Sequence, residues 1–161
     1  MGSGKTTVGA LLGAHLGRPF VDLDDRIEAA AGRSIAEVFA EQGEAAFRDL
    51  EAQALADLLA HASEPLVIAL GGGAFAQERN RQAIVAAGAL TIFLDSPLEA
   101  LRERCAGLLH RPLARDPLRF AQLYLERQPI YGLAAWTIST GSGTPEDAVS
   151  AIAERLASGL E

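Results

Sequence analysis

The segment that decides the fold is Met1-Gly2-Ser3-Gly4-Lys5-Thr6, and an apolar helical pattern that ends at Gly17 follows it. The segment matches the last six positions of the phosphate-binding pattern G-x-x-x-x-G-K-S/T. In this pattern, glycines let backbone N–H groups turn around phosphate oxygens, and the helix N-terminus adds positive potential. Lys5 is the only lysine among 14 basic residues, and we expect it to bridge the β- and γ-phosphates. The alternative is a glycine-rich helix start with one exposed lysine.

The phosphate-binding pattern normally begins with a glycine that follows a β-strand, and the sequence from Met1 onward includes neither. In a parallel sheet this strand is normally central. We expect the native gene product to start upstream of Met1. The alternative is a fold that has lost its middle strand.

Short apolar segments alternate with helical patterns along the rest of the chain. The apolar segments predict strands at residues 19–24, 66–70, 90–94 and 136–139. The helical patterns and capping signals predict further helices at 34–40, 44–61, 77–87, 97–104, 117–127 and 144–156. Strands that are apolar throughout are typical of a parallel sheet covered on both faces. We therefore predict an α/β fold with one parallel sheet, in a single domain over residues 1–161.

Two special segments come at the ends of predicted strands. Asp22 and Asp24 are two residues apart near the end of strand 19–24, so both side chains should leave the same face. Gly71-Gly72-Gly73 follows the next strand, and three glycines indicate a backbone that is packed against a ligand or has positive φ. Because ligands of open α/β sheets bind at the carboxyl ends of strands, we expect both segments and the phosphate loop to converge. The alternatives are a solvated acidic strand end and a tight structural turn.

Charged residues elsewhere fit the same chemistry. Beside a Mg²⁺–nucleotide loop, one carboxylate can approach the metal through water while another accepts a hydrogen bond from a substrate hydroxyl. Arg48 and Glu51 lie three apart on a helix, where a surface ion pair is the simplest account. Residues 107–118 predict a lid loop whose Arg111 can neutralise charge in a phosphoryl-transfer transition state. The alternative for this segment is an ordinary exposed loop.

Composition and charge exclude several classes of partner. The formal net charge of −7 and the isoelectric point near 5.0 argue against nucleic acid and anionic membranes. The only cysteine, Cys105, cannot form an internal disulfide, which fits a reducing compartment. No apolar run approaches the roughly 20 residues of a membrane span. We expect a monomeric cytoplasmic protein that binds a small molecule.

Taken together, these segments resemble the shikimate kinase family over nearly the whole chain. The motifs that carry the resemblance, in the family's order and approximate spacing, are Gly2-Ser3-Gly4-Lys5-Thr6-Thr7, Asp22-Leu23-Asp24, Ser34-Ile35, Gly43-Glu44 with Phe47-Arg48 and Glu51, Leu70-Gly71-Gly72-Gly73, Arg111-Pro112-Leu113 and Arg127-Gln128-Pro129-Ile130-Tyr131. The phosphate loop alone indicates only nucleotide binding, whereas the D-x-D segment, the G-E-x-x-F-R-x-x-E helix and the triple glycine are the most specific.

The resemblance implies a fold, a reaction and two cofactors. The fold is the three-layer α/β sandwich of P-loop NTPases and nucleoside-monophosphate kinases. The reaction is transfer of the γ-phosphoryl group of ATP to the 3-hydroxyl of shikimate, a step toward chorismate and the aromatic amino acids. ATP and Mg²⁺ are the implied cofactors, and shikimate is the implied small-molecule substrate.

The resemblance also implies roles for individual residues toward the nucleotide and the metal. The residues that would bind the phosphates of ATP are Gly2, Ser3, Gly4, Lys5, Thr6 and Thr7. Arg104 and Pro145 would flank the adenine, and Arg111 would reach the phosphates from the lid. Thr6 would ligate Mg²⁺ directly, and Asp22 would approach the metal through water.

The implied substrate contacts come from other segments. Asp24 would bind the shikimate hydroxyls and act as base, Arg48 and Arg127 would hold the carboxylate, and the backbone of Gly72 would complete the site. Bidentate arginine suits a carboxylate on physical grounds as well. The implied catalytic residues are Lys5, Asp24 and Arg111. Two alternatives stay open, namely another small-molecule P-loop kinase such as a gluconate kinase, and a nucleotide-binding relative without catalysis.

Overall fold

The structure is a computed structural model that describes residues 2–105 and 116–159. The chain divides into a first unit, Met1–Leu11 with Thr91–Glu161, and a second unit, Leu12–Leu90. The helices are α1 (Lys5–Leu16), α2 (Leu23–Ala31), α3 (Ile35–His61), α4 (Glu78–Ala86), α5 (Leu98–Cys105), α6 (Pro117–Tyr131) and α7 (Pro145–Ala157). The strands are β1 (Phe20–Asp22), β2 (Val67–Ala69), β3 (Ile92–Asp95) and β4 (Trp136–Ser139). The boundary between the units falls within α1.

The second unit consists of a parallel strand pair with three helices. Phe20 of β1 lies opposite Val67 of β2, and Asp22 lies opposite Ala69. The buried core side chains come mostly from α2, α3 and α4, and they are Leu23, Ile27, Val38, Phe47, Leu55, Ala74 and Ile84. Because apolar residues recur at helical spacing, α2 and α3 each bury one face in this core.

The start of α3 and its interruption were both predictable from local sequence. Ser34 and Glu37 form a reciprocal capping box that starts α3, as predicted. Gly43 has a φ of 81°, which glycine adopts readily and other residues rarely do. The predicted helices at 34–40 and 44–61 are therefore the two segments of α3 on either side of this break.

The predicted strand at 19–24 is too long at its carboxyl end. The strand stops at Asp22, because the side chain of Asp22 accepts a hydrogen bond from the backbone N–H of Asp24 and caps α2. Asp24 therefore lies in the first turn of a helix, and the prediction that both acids leave one face of a strand is wrong.

The first unit contains the second parallel pair. Ile92 lies opposite Trp136, and Asp95 lies opposite Ser139. Leu101 and Cys105 of α5 pack with Phe120 of α6 in a small buried cluster. The helix α7 buries Ala148, Val149 and Ile152. These contacts hold α5, α6 and α7 within the first unit.

The α/β class with parallel strands is confirmed. The sequence predicted one sheet, whereas the strands form two hydrogen-bonded pairs, β1–β2 and β3–β4. Within the described residues, backbone hydrogen bonds between strands join only these partners. The helix predicted at 117–127 continues to Tyr131, with Pro129 inside it. Most of the predicted lid at 107–118 lies outside the described residues. None of the helices in the described ranges has both the length and the apolar character needed to cross a membrane.

Candidate active site

The phosphate loop, residues 2–7, leads into the first turn of α1. Gly2 and Gly4 have φ of 76° and 82°, in the left-handed region where glycine is strongly favoured. The carbonyl oxygen of Gly4 accepts a hydrogen bond from the N–H of Val8 at 2.8 Å, which starts the helix. The first turn of α1, which is described in full, holds no acidic residue that would offset the positive potential of the helix N-terminus. Lys5 Nζ lies 3.4 Å from Ser3 Oγ, so its side chain folds back along the loop.

The front of the phosphate loop packs against α5. A Cβ added to Gly2 would lie 2.8 Å from Cys105 Sγ and 3.2 Å from the carbonyl oxygen of Leu101. Both distances are shorter than normal contacts, so a side chain at Gly2 would push the loop away from α5. The glycine is required here by its φ and by its surroundings together.

Arg104 ties this end of the loop to the ends of two strands. Its Nη2 donates to the carbonyl oxygen of Thr140 at 2.7 Å, and its Nη1 lies 3.2 Å from Ser96 Oγ and 3.5 Å from the carbonyl oxygen of Gly2. Ser96 Oγ and Thr140 Oγ1 are 2.6 Å apart and share a hydrogen bond. The structure thus brings the predicted adenine-flanking arginine to the phosphate loop. Ser96 and Thr140 were not predicted, because isolated hydroxyls after strands carry no recognisable pattern.

Pro145, the other predicted adenine neighbour, is the exposed first residue of α7. Thr144 before it forms a capping box with Asp147, as the sequence indicated. Hydrogen bonds from the backbone N–H and the hydroxyl of Thr144 lower the pKa of Asp147. Pro145 is therefore presented on a well-fixed helix start.

Arg127 lies half-buried on α6, whose last two turns are attached to β3. Gln128 Nε2 donates to Asp95 Oδ1 at 3.1 Å, and the rings of Phe93 and Tyr131 lie 5.3 Å apart. Arg111, the predicted lid arginine, lies outside the described residues.

In the second unit, Asp22 is the last residue of β1 and Asp24 lies in the first turn of α2. Asp22 Oδ1 accepts from the backbone N–H of Asp24 at 3.0 Å, and both side chains are half-buried. The tight turn from strand to helix sets the direction of Asp24, which projects from the first turn of α2.

Arg48 is held by two carboxylates of its own helix. Its Nη1 lies 2.9 Å from Glu51 Oε2, and its Nη2 lies 3.1 Å from Glu44 Oε1. The guanidinium also lies over the ring of Phe47, 5.2 Å from its centroid. The side chain of Glu51 is only 1% exposed. The simple account of a surface ion pair is wrong, because this pair is buried on its acidic side.

The triple glycine brings these acidic and basic groups together. A Cβ on Gly71 would overlap Asp24 Oδ1 and lie 3.3 Å from Glu51 Oε1. A Cβ on Gly73 would overlap the guanidinium of Arg48, lying 2.7 Å from Nη2 and 2.8 Å from Cζ. Gly71 and Gly73 are therefore needed for close approach, but to protein side chains. None of the three glycines has positive φ, so that interpretation is wrong, and the run leads into a turn, as the alternative held, with Gly72 half-buried. The predicted convergence is confirmed for the glycines and Asp24, while that of the phosphate loop with them stays a prediction.

The environment of the buried pair shifts both of its pKa values. Burial raises the pKa of Glu51, and the charge of Asp24 adds to this effect, while Arg48 and a hydrogen bond from Gln77 oppose it. For Arg48, burial lowers the pKa, but the hydrogen bonds and charges of Glu51 and Glu44 outweigh it, and the pKa is raised. Arg48 therefore stays a cation, and the ionised form of Glu51 depends on its donors. Gln77 was not predicted, because its partner is 26 positions away in the sequence.

A magnesium ion fits the donors that the chain offers. Within residues 2–105 and 116–159, no three His, Cys, Asp or Glu side chains form a metal cluster. Mg²⁺ in nucleotide sites usually keeps several waters and takes one or two protein oxygens beside the phosphates. In the first unit, the Thr6 hydroxyl in the first turn of α1 is an oxygen donor of this kind, and in the second unit the half-buried Asp22 carboxylate is another.

The sequence matches one family along almost its whole length. A family model described as shikimate kinase covers residues 1–157. A shikimate kinase from Symbiobacterium thermophilum is 46% identical over 162 residues, covering 97% of this chain and 91% of that protein. A shikimate kinase from Cereibacter sphaeroides is 42% identical, covering 98% of this chain and 79% of that protein.

Solved structures agree with the sequence comparison. A shikimate kinase from Acinetobacter baumannii in complex with shikimate has a TM-score of 0.89 and 35% identity, covering 100% of this chain and 91% of that one. A shikimate kinase from Aquifex aeolicus has a TM-score of 0.85 and 39% identity, covering 98% of this chain and 92% of that one. These neighbours have a P-loop kinase fold, which is therefore the fold of this chain.

Proposed function

Since the chain belongs to the shikimate kinase family and is an ATP-dependent shikimate kinase, we propose how its own residues transfer the γ-phosphoryl group to the 3-hydroxyl of shikimate. The observation that supports the proposal most is the cluster of Asp24, Arg48 and the glycines 71–73. Asp24 supplies a hydroxyl acceptor, Arg48 supplies a fixed cation, and the glycines supply backbone groups that carry no side chain. An anionic polyol requires these groups for binding.

On the nucleotide side, the phosphate loop binds the β- and γ-phosphates through its backbone N–H groups and Lys5. Gly2 to Thr7 form the cradle, and the positive φ of Gly2 and Gly4 supports this role. Arg104 and Pro145 flank the adenine, and Arg111 in the lid neutralises phosphate charge when the lid closes.

Thr6 would hold Mg²⁺ through its hydroxyl, and Asp22 would reach it through a water molecule. When bound, the ion supplies positive charge to the phosphate oxygens. Oδ1 of Asp22 also accepts the capping hydrogen bond from the backbone N–H of Asp24, which fixes the direction of this carboxylate.

On the substrate side, Arg48 and Arg127 bind the carboxylate of shikimate, and the backbone of Gly72 binds a hydroxyl. Asp24 accepts a hydrogen bond from the 3-hydroxyl and takes up its proton as the oxygen attacks the γ-phosphorus. The P–O bond to ADP breaks as the new P–O bond forms, so no covalent enzyme intermediate is needed. Asp24 therefore acts as the general base, and Lys5 and Arg111 act through positioning and charge neutralisation.

We also propose that the chain acts as one domain over residues 1–161, as a cytoplasmic monomer without a nucleic-acid or membrane partner. The net charge of −7 and the buried, unpaired thiol of Cys105 support this setting.

The test is release of ADP from Mg²⁺-ATP in a coupled assay, with and without shikimate. We expect release to depend on shikimate, and Arg48→Ala and Arg127→Ala each to raise KM for shikimate by about tenfold or more, because a charged hydrogen-bond partner is lost. Arg119→Ala is the matched control, since Arg119 is an exposed arginine on the same helix as Arg127.

Two results would contradict the proposal. Retained turnover of another polyol, such as gluconate, in both arginine variants would indicate a different small-molecule kinase. ATP binding without ADP release under any condition would indicate a relative without catalysis.

A further inference from the structure

We propose that Gln77 is a positioning residue that fixes Arg48 for the substrate by acting through Glu51. This inference rests on the proposed role of Arg48 in binding the carboxylate of shikimate. Gln77 itself does not contact Arg48, so its effect is transmitted through one shared oxygen atom.

That oxygen is Oε2 of Glu51. It accepts a hydrogen bond from Nε2 of Gln77 and, at 2.9 Å, from Nη1 of Arg48. The other oxygen of Glu51 faces the backbone of Gly71. Because the Glu51 side chain is 1% exposed, water cannot easily replace either donor, and the carboxylate keeps a single orientation.

The amide of Gln77 can take only one orientation between its neighbours. Its Oε1 accepts from Nε of Arg79 at 3.1 Å, while its Nε2 faces the carboxylate of Glu51. An arginine Nε can only donate, and an ionised carboxylate can only accept. The site therefore requires a side chain with an acceptor on one side and a donor on the other, which an amide provides.

Arg79 links these hydrogen bonds to α3, the helix that carries Arg48. Its Nη2 donates to the carbonyl oxygen of Arg48 at 2.6 Å, and its Nη1 lies 2.7 Å from Asp49 Oδ1. The hydrogen bonds thus form a closed path from the backbone of Arg48 through Arg79, Gln77 and Glu51 to the guanidinium of Arg48. Such a path fixes the side chain relative to its own helix.

Gln77 also stands at the N-cap of α4, yet its side chain makes no capping hydrogen bond. The amide is therefore not used to start the helix, and its removal should leave α4 in place. A carboxylate at this position would even favour the helix N-terminus. The proposed role of Gln77 in positioning Arg48 can therefore be distinguished from a role in starting α4.

Two charged groups among the described residues face Glu51, the cation Arg48 on its own helix and the acid Asp24 on α2. Burial and Asp24 raise the pKa of Glu51, while Arg48 and Gln77 lower it. The donor from Gln77 thus helps to keep Glu51 ionised, and an ionised Glu51 holds Arg48. Without this donor, Glu51 takes up a proton at higher pH and releases Arg48 from its fixed position.

The experiment compares Gln77→Glu and Gln77→Met with Gln82→Glu in the full chain. Gln82 is an exposed residue of α4, so Gln82→Glu makes the same change of charge on the same helix. For each protein we would measure kcat, KM for shikimate and KM for ATP from pH 5 to 9, together with calorimetric binding of shikimate and thermal unfolding.

We expect Gln77→Glu to raise KM for shikimate about tenfold, because a carboxylate replaces the donor beside Glu51. The value of kcat and KM for ATP should change less than about twofold, and Gln82→Glu should match the wild type. The rise of KM at low pH should begin at higher pH in Gln77→Met, and at higher pH still in Gln77→Glu. A residue that only supported the fold would not shift this pH profile.

Three results would overturn the inference. They are an unchanged KM for shikimate in both Gln77 variants, a parallel change of all kinetic constants, or an equal effect of Gln82→Glu. If Gln77→Glu does not fold, Gln77→Met gives the same test. Wild-type protein that neither binds nor phosphorylates shikimate would refute the proposed function and the inference together. An active wild type with an unaltered Gln77→Glu would refute the inference alone.

Discussion

The phosphate loop and the Asp24–Arg48 cluster differ in the source of the positive charge that they offer to an anionic ligand. In the loop, positive φ at Gly2 and Gly4 and the acid-free first turn of α1 provide positive potential from the backbone. In the cluster, the cation of Arg48 is already paired with Glu44 and Glu51. The first site is made of peptide dipoles, and the second is made of side-chain charges that neutralise one another.

This difference determines how each site can fail. A site made of backbone dipoles takes its potential from residues that are adjacent in sequence, so we expect it to be most sensitive to changes at its own glycines and lysine, although α5 supports the loop at Gly2. A site made of paired side chains depends on residues that are far apart in the sequence, such as Glu51 and Gln77, which are 26 positions apart. It can therefore be disturbed from outside, through groups that never contact the substrate.

The largest effect is expected from removing the one side-chain cation of the loop. Lys5→Met should lower kcat by about 10²–10³-fold, because a preorganised positive group at the transferring phosphoryl is lost. Circular dichroism and thermal unfolding should stay unchanged, since Lys5 is a half-buried residue at a helix start. Arg26→Met, at an exposed position on α2, is the control for a lost positive charge. Normal turnover in Lys5→Met would remove the main evidence for a nucleotide site in the loop.

A smaller effect is expected from one methyl group in the cluster. In Gly73→Ala the new Cβ would overlap the guanidinium of Arg48, which would have to move. A displacement of about 1 Å should lower kcat/KM for shikimate by about 10²-fold and leave KM for ATP unchanged. Gly132→Ala is the matched control, because a Cβ there meets only ordinary contacts at 3.5 Å and φ is −63°. Equal losses in both variants would mean that the glycine run serves only the fold.

The smallest expected effect is a pH dependence of the free energy of unfolding. It arises from Glu51 in the cluster, and we expect no such dependence from the phosphate loop. Because burial raises the pKa of Glu51, this group favours the folded state below its unfolded value of about 4.5, and that stability is lost as pH rises through the folded value. The free energy of unfolding of Glu51→Gln, relative to wild type, should therefore increase as pH rises above about 4.5. The slope should be at most about 1.4 kcal/mol per pH unit.

Urea unfolding of both proteins from pH 4.5 to 8 would measure this slope. Glu64→Gln, at an exposed position, controls for the change in net charge. A slope of opposite sign would mean that the attraction of Arg48 outweighs the burial of Glu51.

Features that depend on neighbouring residues were largely predictable. The capping box at Ser34, the helix start at Pro145 and strand 136–139 all follow from local spacing, and all three are confirmed. The error at Asp24 shows the limit of this reasoning. A period-two pattern and a helix cap compete for the same few residues, and a hydrogen bond from the N–H of Asp24 to Asp22 decided for the cap.

The sequence by itself therefore determined the α/β class, the glycine loop with its lysine and the family, because these depend on residue types at short, fixed spacings. Only the tertiary structure decided that Glu51 is buried, that Gly71 and Gly73 press against Asp24 and Arg48, and that Gln77 joins them. The physical reason is that burial and hydrogen bonding across long sequence separations arise when separate helices pack. The spacing of residues along the sequence does not predict which side chains are buried together after this packing.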